Sequence, residues 1–181
     1  MKSILVLYYS RGGHTARISR CIVRRIQQQG YRCEMMGLLE AEKEGIDWQE
    51  WDAVVLGACV LYGTYDKSVF AFCSKYQQQL DQKAISFFSV NVVARKPEKR
   101  IPENNRYLQK FIELSAWKPN DVKIIAGKVD YPSWRWLDKQ MIRLIMKITD
   151  GPTDTKAVID YTDYQEVDGY ADHLATLVPA N

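Results

Sequence analysis

The chain has 181 residues, of which 46% are hydrophobic, 12% aromatic and 26% charged. This composition is typical of a soluble globular protein and argues against disorder, and the length predicts one domain, residues 1–181, with a full hydrophobic core. No apolar run of about 18 residues occurs, so we predict no transmembrane helix. Met1 leads almost directly into an apolar segment, so we expect no signal peptide. The net charge of +3 argues against nucleic-acid binding.

Apolar runs and helical periodicity alternate along the chain. The apolar runs predict strands at residues 3–9, 31–36, 52–60, 84–90 and 122–129. Helical spacing of apolar residues predicts helices at residues 15–29, 66–80, 103–117 and 163–177, with a short strand-like piece at 157–161. This alternation predicts an α/β fold, an open five-stranded parallel sheet with helices on both faces. Residues 130–155 are too long for a plain connection, and we predict an inserted amphipathic segment around the fifth strand.

The four cysteines, Cys21, Cys33, Cys59 and Cys73, include no CxxC pair and have no neighbouring histidine. This spacing predicts no metal site. Buried free thiols are typical of a reducing compartment, so we expect the protein in the cytoplasm.

The first strand-to-helix turn combines small residues, hydroxyls and a cation. It consists of Ser10, Arg11, Gly12, Gly13, His14 and Thr15. Free backbone N–H groups and the helix dipole at such a turn favour a phosphate, and the glycines allow close approach. Neither a G-x-x-x-x-G-K-[ST] loop nor a G-x-G-x-x-G fingerprint occurs. The alternative is a simple tight turn in which Thr15 caps the helix.

Two further loops should meet this turn, because open α/β sheets bind ligands at the carboxyl ends of their strands. The loop after the third strand carries Cys59, Tyr62, Gly63 and Tyr65, and the loop after the fourth consists of Ser89, Val90, Asn91 and Val92. Tyrosine faces and glycine amides suit a flat aromatic ligand with a phosphate tail. Each tyrosine taken singly is equally compatible with surface packing.

This order of elements, with a single phosphate turn and aromatic or glycine-bearing loops, resembles the flavodoxin fold. Residues 89–105 (SVNVVARKPEKRIPENN) and 131–155 (YPSWRWLDKQMIRLIMKITDGPTDT) closely resemble the flavodoxin-like, quinone-dependent protoporphyrinogen oxidases of bacterial haem biosynthesis. The resemblance implies FMN-dependent oxidation of protoporphyrinogen IX to protoporphyrin IX, with electrons passed to menaquinone or ubiquinone at the cytoplasmic membrane surface. It also implies that the turn from Ser10 to His14 binds the FMN phosphate and that the Asn91 loop belongs to the flavin site. No catalytic side chain is assigned.

The inserted segment carries an amphipathic helix pattern. One predicted face holds Trp134, Leu137, Met141, Leu144, Ile145 and Ile148, and the opposite side holds Lys139, Arg143 and Lys147. Such a helix either lies in a membrane interface or packs its apolar face on the domain. Because tryptophan favours interfaces, Trp134, Arg135 and Trp136 favour contact with lipid, quinone or porphyrin.

Charge is unevenly distributed along the chain. Residues 91–150 carry a net +6 and residues 151–181 a net −5. A basic cluster, predicted to attract substrate propionates or anionic lipid head groups, consists of Arg95, Lys96, Lys99 and Arg100. The alternative for this cluster is a solvated loop.

Two other functions are compatible with the same fold: a flavodoxin-type electron carrier and an NAD(P)H-dependent quinone reductase. Such carriers are typically acidic, which argues against the first for a basic chain. Rapid bleaching of the flavin by NAD(P)H would identify the second. A homo-oligomer is compatible with the sequence.

Overall fold

The computed structural model describes residues 1–148 and 150–178. Its strands are β1 (Ser3–Tyr9), β2 (Arg32–Gly37), β3 (Ala53–Leu61), β4 (Thr64–Tyr65), β5 (Ala84–Asn91), β6 (Val122–Ala126), β7 (Lys128–Asp130) and β8 (Val158–Asp160). Its α-helices are α1 (His14–Gln28), α2 (Leu38–Glu44), α3 (Lys67–Lys75), α4 (Gln77–Lys83), α5 (Arg106–Leu114), α6 (Trp136–Ile148) and α7 (Tyr164–Leu177). No helix within the described ranges is long and apolar enough to cross a membrane.

Five strands form a parallel sheet in the order β2-β1-β3-β5-β6, and the short β4 pairs antiparallel with the end of β3. This confirms the predicted α/β class and the five-stranded parallel sheet. The order is that of flavodoxin-type sheets, in which the chain reverses direction across the sheet beside β1. Ligand sites in such sheets lie at the carboxyl ends of the strands on either side of that reversal.

The alternation of side chains along β1 explains its continuous apolar run. Leu5 and Leu7 join the core on one face of the sheet, whereas Ile4 and Val6 join the core on the other. Helices α1 and α7 cover the second face, and α3 and α5 cover the first. The sheet is therefore buried on both faces, as a parallel sheet requires.

The glycine at position 57 of β3 leaves room for an aromatic ring of the neighbouring strand β5. A Cβ atom at Gly57 would lie 1.9 Å from the ring of Phe88 on β5. Phe88 is fully buried, so the ring occupies the space that a side chain at position 57 would need. A larger residue at position 57 would therefore displace this ring from the close-packed interior.

Two of the predicted helices differ clearly from those in the structure. The helix predicted at 66–80 is two helices, α3 and α4, which meet at Tyr76, and the short α2 was not predicted. The helix predicted from residue 103 begins at Arg106 because Asn105 caps it: its Oδ1 accepts from the Leu108 N–H at 3.1 Å, and its Nδ2 donates to the Lys99 carbonyl at 2.8 Å. Two short 3-10 turns led by Pro97 and Pro102 occupy the preceding residues.

The fifth predicted strand, residues 122–129, is divided at Gly127. Its first part is β6, and its second part begins β7, which pairs antiparallel with β8. The division arises because the Gly127 carbonyl accepts from the Tyr161 N–H at 3.2 Å instead of continuing the parallel sheet. Along the chain, helix α6 lies between β7 and β8. The antiparallel pairing of these two short strands therefore joins the two ends of the inserted segment.

Candidate functional site

A cavity of about 600 Å³ lies at the carboxyl edge of the parallel sheet. Three loops form its walls: the turn after β1, the hairpin after β3 and the loop after β5. The pairing of Tyr9 with Ala58 and of Cys59 with Val90 brings the ends of these strands to the same level. The volume lies within the range of small-molecule sites, which run from about 300 to 1,000 Å³.

The turn after β1 presents unused hydrogen-bond donors. Among the described residues, Ser10 Oγ is buried with no hydrogen-bond partner. Helix α1 follows Gly13, whose φ of 80° is accessible to glycine at little cost and which has no side chain with which to cap the first turn. An orphaned hydroxyl and an uncapped helix start together suit an anion such as a phosphate.

His14, the first residue of α1, is held by neighbours on the far side of the turn. Its Nε2 lies 2.8 Å from Thr162 Oγ1, and that hydroxyl donates its single proton to the Ala126 carbonyl at 2.7 Å. His14 must therefore donate through Nε2–H, and the neutral imidazole carries its proton there. Burial lowers the pKa of His14, while Asp160, 3.5 Å from Nε2, acts in the opposite direction.

Cys59, at the end of β3, faces the same turn and contacts the Thr15 hydroxyl and the Arg11 backbone N–H. Burial raises the pKa of the Cys59 thiol. The thiol therefore stays protonated at neutral pH and contributes a wall to the cavity, not a thiolate nucleophile.

The hairpin after β3 places an aromatic ring in the cavity. Tyr62 adopts a left-handed backbone conformation with φ 52°, followed by Gly63 with φ 77°. This is strained for a residue with a side chain, and such strain is concentrated at functional sites. The guanidinium of Arg11 lies 5.7 Å from the Tyr62 ring centroid, and the Tyr62 hydroxyl donates to Asp138 of α6. Burial and then Asp138 raise the pKa of Tyr62, so its hydroxyl stays protonated.

Hydrogen bonds within the loop and to the core hold the loop after β5 in place. Asn91 Oδ1 accepts from the Ala94 N–H at 3.1 Å, and its Nδ2 donates to Ser89 Oγ at 3.0 Å. Ser89 also accepts from the Tyr65 hydroxyl at 2.6 Å, and both residues are buried. Tyr65 and Ser89 therefore support the loop from the core, whereas Asn91 and Val92 line the cavity.

Helix α6 adds a wall that the loops alone do not provide. Asp138, Ile142, Ile145 and Met146 of α6 line the cavity, as does Trp134 just before it. Ile142 and Met146 are buried, and they form a small third core with Val129 and Tyr131. The cavity therefore extends from the phosphate-type turn to the inner face of α6.

Most of the predicted apolar face of α6 is exposed, so it does not pack on the domain, and its contact with a membrane interface stays a prediction. Residues predicted to form it, Leu137, Met141, Leu144 and Ile148, are 71%, 53%, 58% and 73% exposed. The helix packs on the domain through Ile142 and Met146, which lie on nearly the opposite side of the helix and were not part of the predicted face. Only the packing of the inserted segment could show which of the two apolar stripes of α6 faces inward.

Of the predicted cofactor-binding residues, all except Ser89 line the cavity. Those that do are Ser10, Arg11, Gly12, Gly13, His14, Thr15, Cys59, Tyr62, Gly63, Val90, Asn91 and Val92. Trp134 and Arg135 also line it, whereas Trp136 is 70% exposed. Cavity residues that were not predicted include Arg17, Tyr107, Lys128, Asp130 and Asp138. Lys128 and Asp130 could have been predicted, because they follow the carboxyl end of a sheet strand, where ligands bind in this type of sheet.

The basic cluster predicted to attract carboxylates or head groups lies outside the cavity lining and is engaged within the chain. Arg100 forms an ion pair with Glu166 at 3.0 Å and Lys96 one with Asp150 at 3.4 Å. Arg95 donates to the Val92 carbonyl at 3.2 Å and Lys99 to the Asn104 carbonyl at 3.4 Å. These contacts brace the segment between β5 and α5.

The flavodoxin domain family matches residues 5–156 of this chain. Flavodoxin 1 of Bacillus cereus superposes with a TM-score of 0.51 at 11% identity, over 98% of this chain and 100% of that chain. A flavo di-iron protein of Thermotoga maritima superposes with a TM-score of 0.54 at 10% identity, over 98% of this chain but 36% of that one. At these identities the two structures show the shared fold.

Two curated relatives are similar in sequence over nearly the whole chain. The protoporphyrinogen IX dehydrogenase (quinone) of Escherichia coli strain K12 is 38% identical over 173 residues, which are 96% of this chain and 94% of the relative. The enzyme of the same name from Leishmania major is 32% identical over 96% of this chain and 74% of the relative.

Fold and cavity together define a flavodoxin-type domain, and membership of that class implies a flavin cofactor. Within that class, the chain belongs to the family of quinone-dependent protoporphyrinogen IX dehydrogenases and is an oxidoreductase.

Replacing His14 by Asn should change how stability depends on pH. Because the folded-state pKa of His14 is lowered, the unfolded state binds this proton more tightly. The wild type should therefore keep its full stability above pH of about 6.5 and lose part of it as the pH falls below that value. Urea unfolding at pH 7.5 and 5.5 should show a smaller loss in His14→Asn. Gln78→Ala, at an exposed position of α4 with no titratable group, is the control and should retain the wild-type slope; equal slopes in all three proteins would contradict the prediction.

Proposed function

We propose that this chain binds FMN in the cavity and oxidises protoporphyrinogen IX to protoporphyrin IX, with the electrons passing to a membrane quinone, menaquinone or ubiquinone. The observation that carries the proposal is the orphaned Ser10 hydroxyl beside the uncapped start of α1, in a cavity that continues under α6. The names of the relatives support the substrate and the quinone acceptor.

The residues of the cavity fit FMN. Ser10, Thr15 and the backbone N–H groups of residues 11–14 would hold the phosphate. The isoalloxazine ring would lie between the Tyr62 hairpin and the Asn91 loop, where an aromatic face and backbone amides are available. When bound, the flavin accepts two electrons in each oxidation step and transfers them to the quinone.

The reaction balances without another oxidant. Protoporphyrinogen IX loses six electrons and six protons in three two-electron steps, and three quinones take them up to become quinols. The chain's own part is to orient the reactants and to exclude water. Tyr62 contacts the reactants and does not act as a base, because its hydroxyl stays protonated and donates a hydrogen bond to Asp138.

The wall formed by α6 favours an enzyme over a flavodoxin-type electron carrier. A carrier needs only a groove for its flavin, whereas here Trp134, Ile142 and Met146 extend the cavity with an apolar surface. Such a surface suits a flat apolar reactant beside the flavin.

The decisive assay mixes FMN-loaded protein with protoporphyrinogen IX and a soluble menaquinone analogue. Porphyrin fluorescence should rise several-fold faster than in a protein-free control, and omission of the quinone should halt it after the bound flavin is used. A rate equal to that of the control would refute the proposed activity. Bleaching of the flavin by NAD(P)H, with no response to protoporphyrinogen IX, would favour the quinone reductase instead.

Replacing Ser10 by Ala should weaken FMN binding roughly tenfold, because a hydrogen bond to a charged phosphate is lost. Quenching of FMN fluorescence on titration of the apoprotein measures the dissociation constant. Ser115→Ala is the matched control, since it removes a buried hydroxyl that does not line the cavity. Riboflavin, which has no phosphate, should bind wild type and Ser10→Ala equally. An unchanged FMN affinity would remove Ser10 from the phosphate site.

We also propose that the outer face of α6 docks the protein on the cytoplasmic membrane surface. Four exposed apolar residues at positions 137, 141, 144 and 148 form one stripe, because their spacing of four, three and four residues matches the helix period. Lys139, Arg143 and Lys147 lie on the rest of the helix surface, about 90° to 170° around the helix from this stripe, with Lys147 nearest to it. A helix that carries both an exposed apolar stripe and cations suits the interface of an anionic bilayer.

Replacing both Leu137 and Leu144 by Glu should reduce binding to vesicles of phosphatidylglycerol and phosphatidylcholine at least about tenfold. The two carboxylates remove apolar contact and repel the anionic lipid. Sedimentation with vesicles measures the bound fraction. Leu114→Glu is the control, because Leu114 on α5 is exposed to the same 58% as Leu144. Equal binding by all variants would exclude α6 as the docking surface.

A further inference from the structure

We propose that Arg135 binds a propionate carboxylate of the tetrapyrrole substrate, whose ring system lies against Trp134 under α6; this rests on the proposed function. The inference assigns one of the two ends of the cavity to the substrate and identifies the side chain that distinguishes a dicarboxylic tetrapyrrole from a neutral reactant.

The cavity has two chemically different ends. The end formed by residues 10–15 presents a hydroxyl and backbone donors. The end under α6 is lined by Trp134, Ile142, Ile145 and Met146, which are apolar. A flat apolar ring system therefore fits the α6 end, and Trp134 offers an aromatic face for it.

Four cationic side chains line the cavity, and most are already engaged. Lys128 forms an ion pair with Asp130 at 2.8 Å, and Arg17 lies 3.8 Å from Asp160. Arg11 belongs to the phosphate-type turn and lies over the Tyr62 ring. Within residues 1–148 and 150–178, no carboxylate lies within 4.0 Å of the exposed Arg135 guanidinium. Arg135 is therefore the cation available at the α6 end.

The position of Asp138, close to Arg135, further supports this assignment. Asp138 lies one helical turn beyond Arg135 and also lines the cavity, and it accepts from the Tyr62 hydroxyl. Its negative charge repels a carboxylate from the interior of the cavity. A substrate with an apolar body and carboxylates at one edge would thus place its body inward and its carboxylates at the rim. There the Arg135 guanidinium can donate two parallel hydrogen bonds to one carboxylate.

The quinone gives a contrast within the same enzyme. It carries no carboxylate, so its binding gains nothing from the Arg135 charge. The basic cluster at residues 95–100 offers no competing site in the cavity, because none of its side chains lines it.

The test compares protoporphyrinogen IX with its dimethyl ester, in detergent without vesicles. Arg135→Gln should raise the KM for the diacid about tenfold, with kcat within about twofold and the KM for the quinone analogue unchanged. Arg135→Lys should have a KM for the diacid between those of the wild type and Arg135→Gln. Arg24→Gln, an exposed arginine on α1 away from the cavity, should match wild type.

With the dimethyl ester, wild type and Arg135→Gln should have the same KM, because the charge has no carboxylate to bind. A diacid KM unchanged in Arg135→Gln would overturn the inference, as would an equal rise with diacid and ester. If wild type oxidises the diacid, such a result leaves the proposed function in place. If wild type oxidises neither substrate, the proposed function fails and this inference fails with it.

Discussion

The parallel pairing of β1, β3 and β5 is the constraint on which the site depends. It brings the ends of three strands to one level, so that the turn at Ser10, the hairpin at Tyr62 and the loop at Asn91 share one cavity. Between β3 and β5, the Phe88 ring fills the place of a side chain at Gly57, so a larger residue at that position would collide with the ring. Such a collision would disturb the packing around the strands whose ends carry the candidate binding groups.

Helix α6 gives this domain a feature beyond the three loops of a flavin groove. Its inner stripe, with Ile142 and Met146, walls the cavity, and its outer stripe, with Leu137 and Leu144, is exposed. A single helix, about 10 Å in diameter, thus separates the proposed membrane surface from the proposed reaction site. A reactant dissolved in lipid would have a short path to the cavity.

The net charge of +3 does not show which charges are paired with one another in the structure. Part of the basic middle is neutralised by the acidic tail, because Arg100 and Lys123 both pair with Glu166. Among the described residues, no ion pair involves Lys139, Arg143 or Lys147 of α6. Helix α6 therefore carries positive charge that the acidic tail does not neutralise.

The sequence by itself determined the α/β class, the five parallel strands and the residues at the strand ends, because buried strands require continuous apolar runs and β-to-α turns require small residues. It also indicated the inserted amphipathic segment at residues 130–155. Tertiary structure alone decided which stripe of α6 faces inward, that Ser89 and Tyr65 support the loop from the core, and that the cluster at residues 95–100 is engaged within the chain. These depend on partners distant in sequence, and a local pattern of apolar and charged residues carries no information about which distant group it meets.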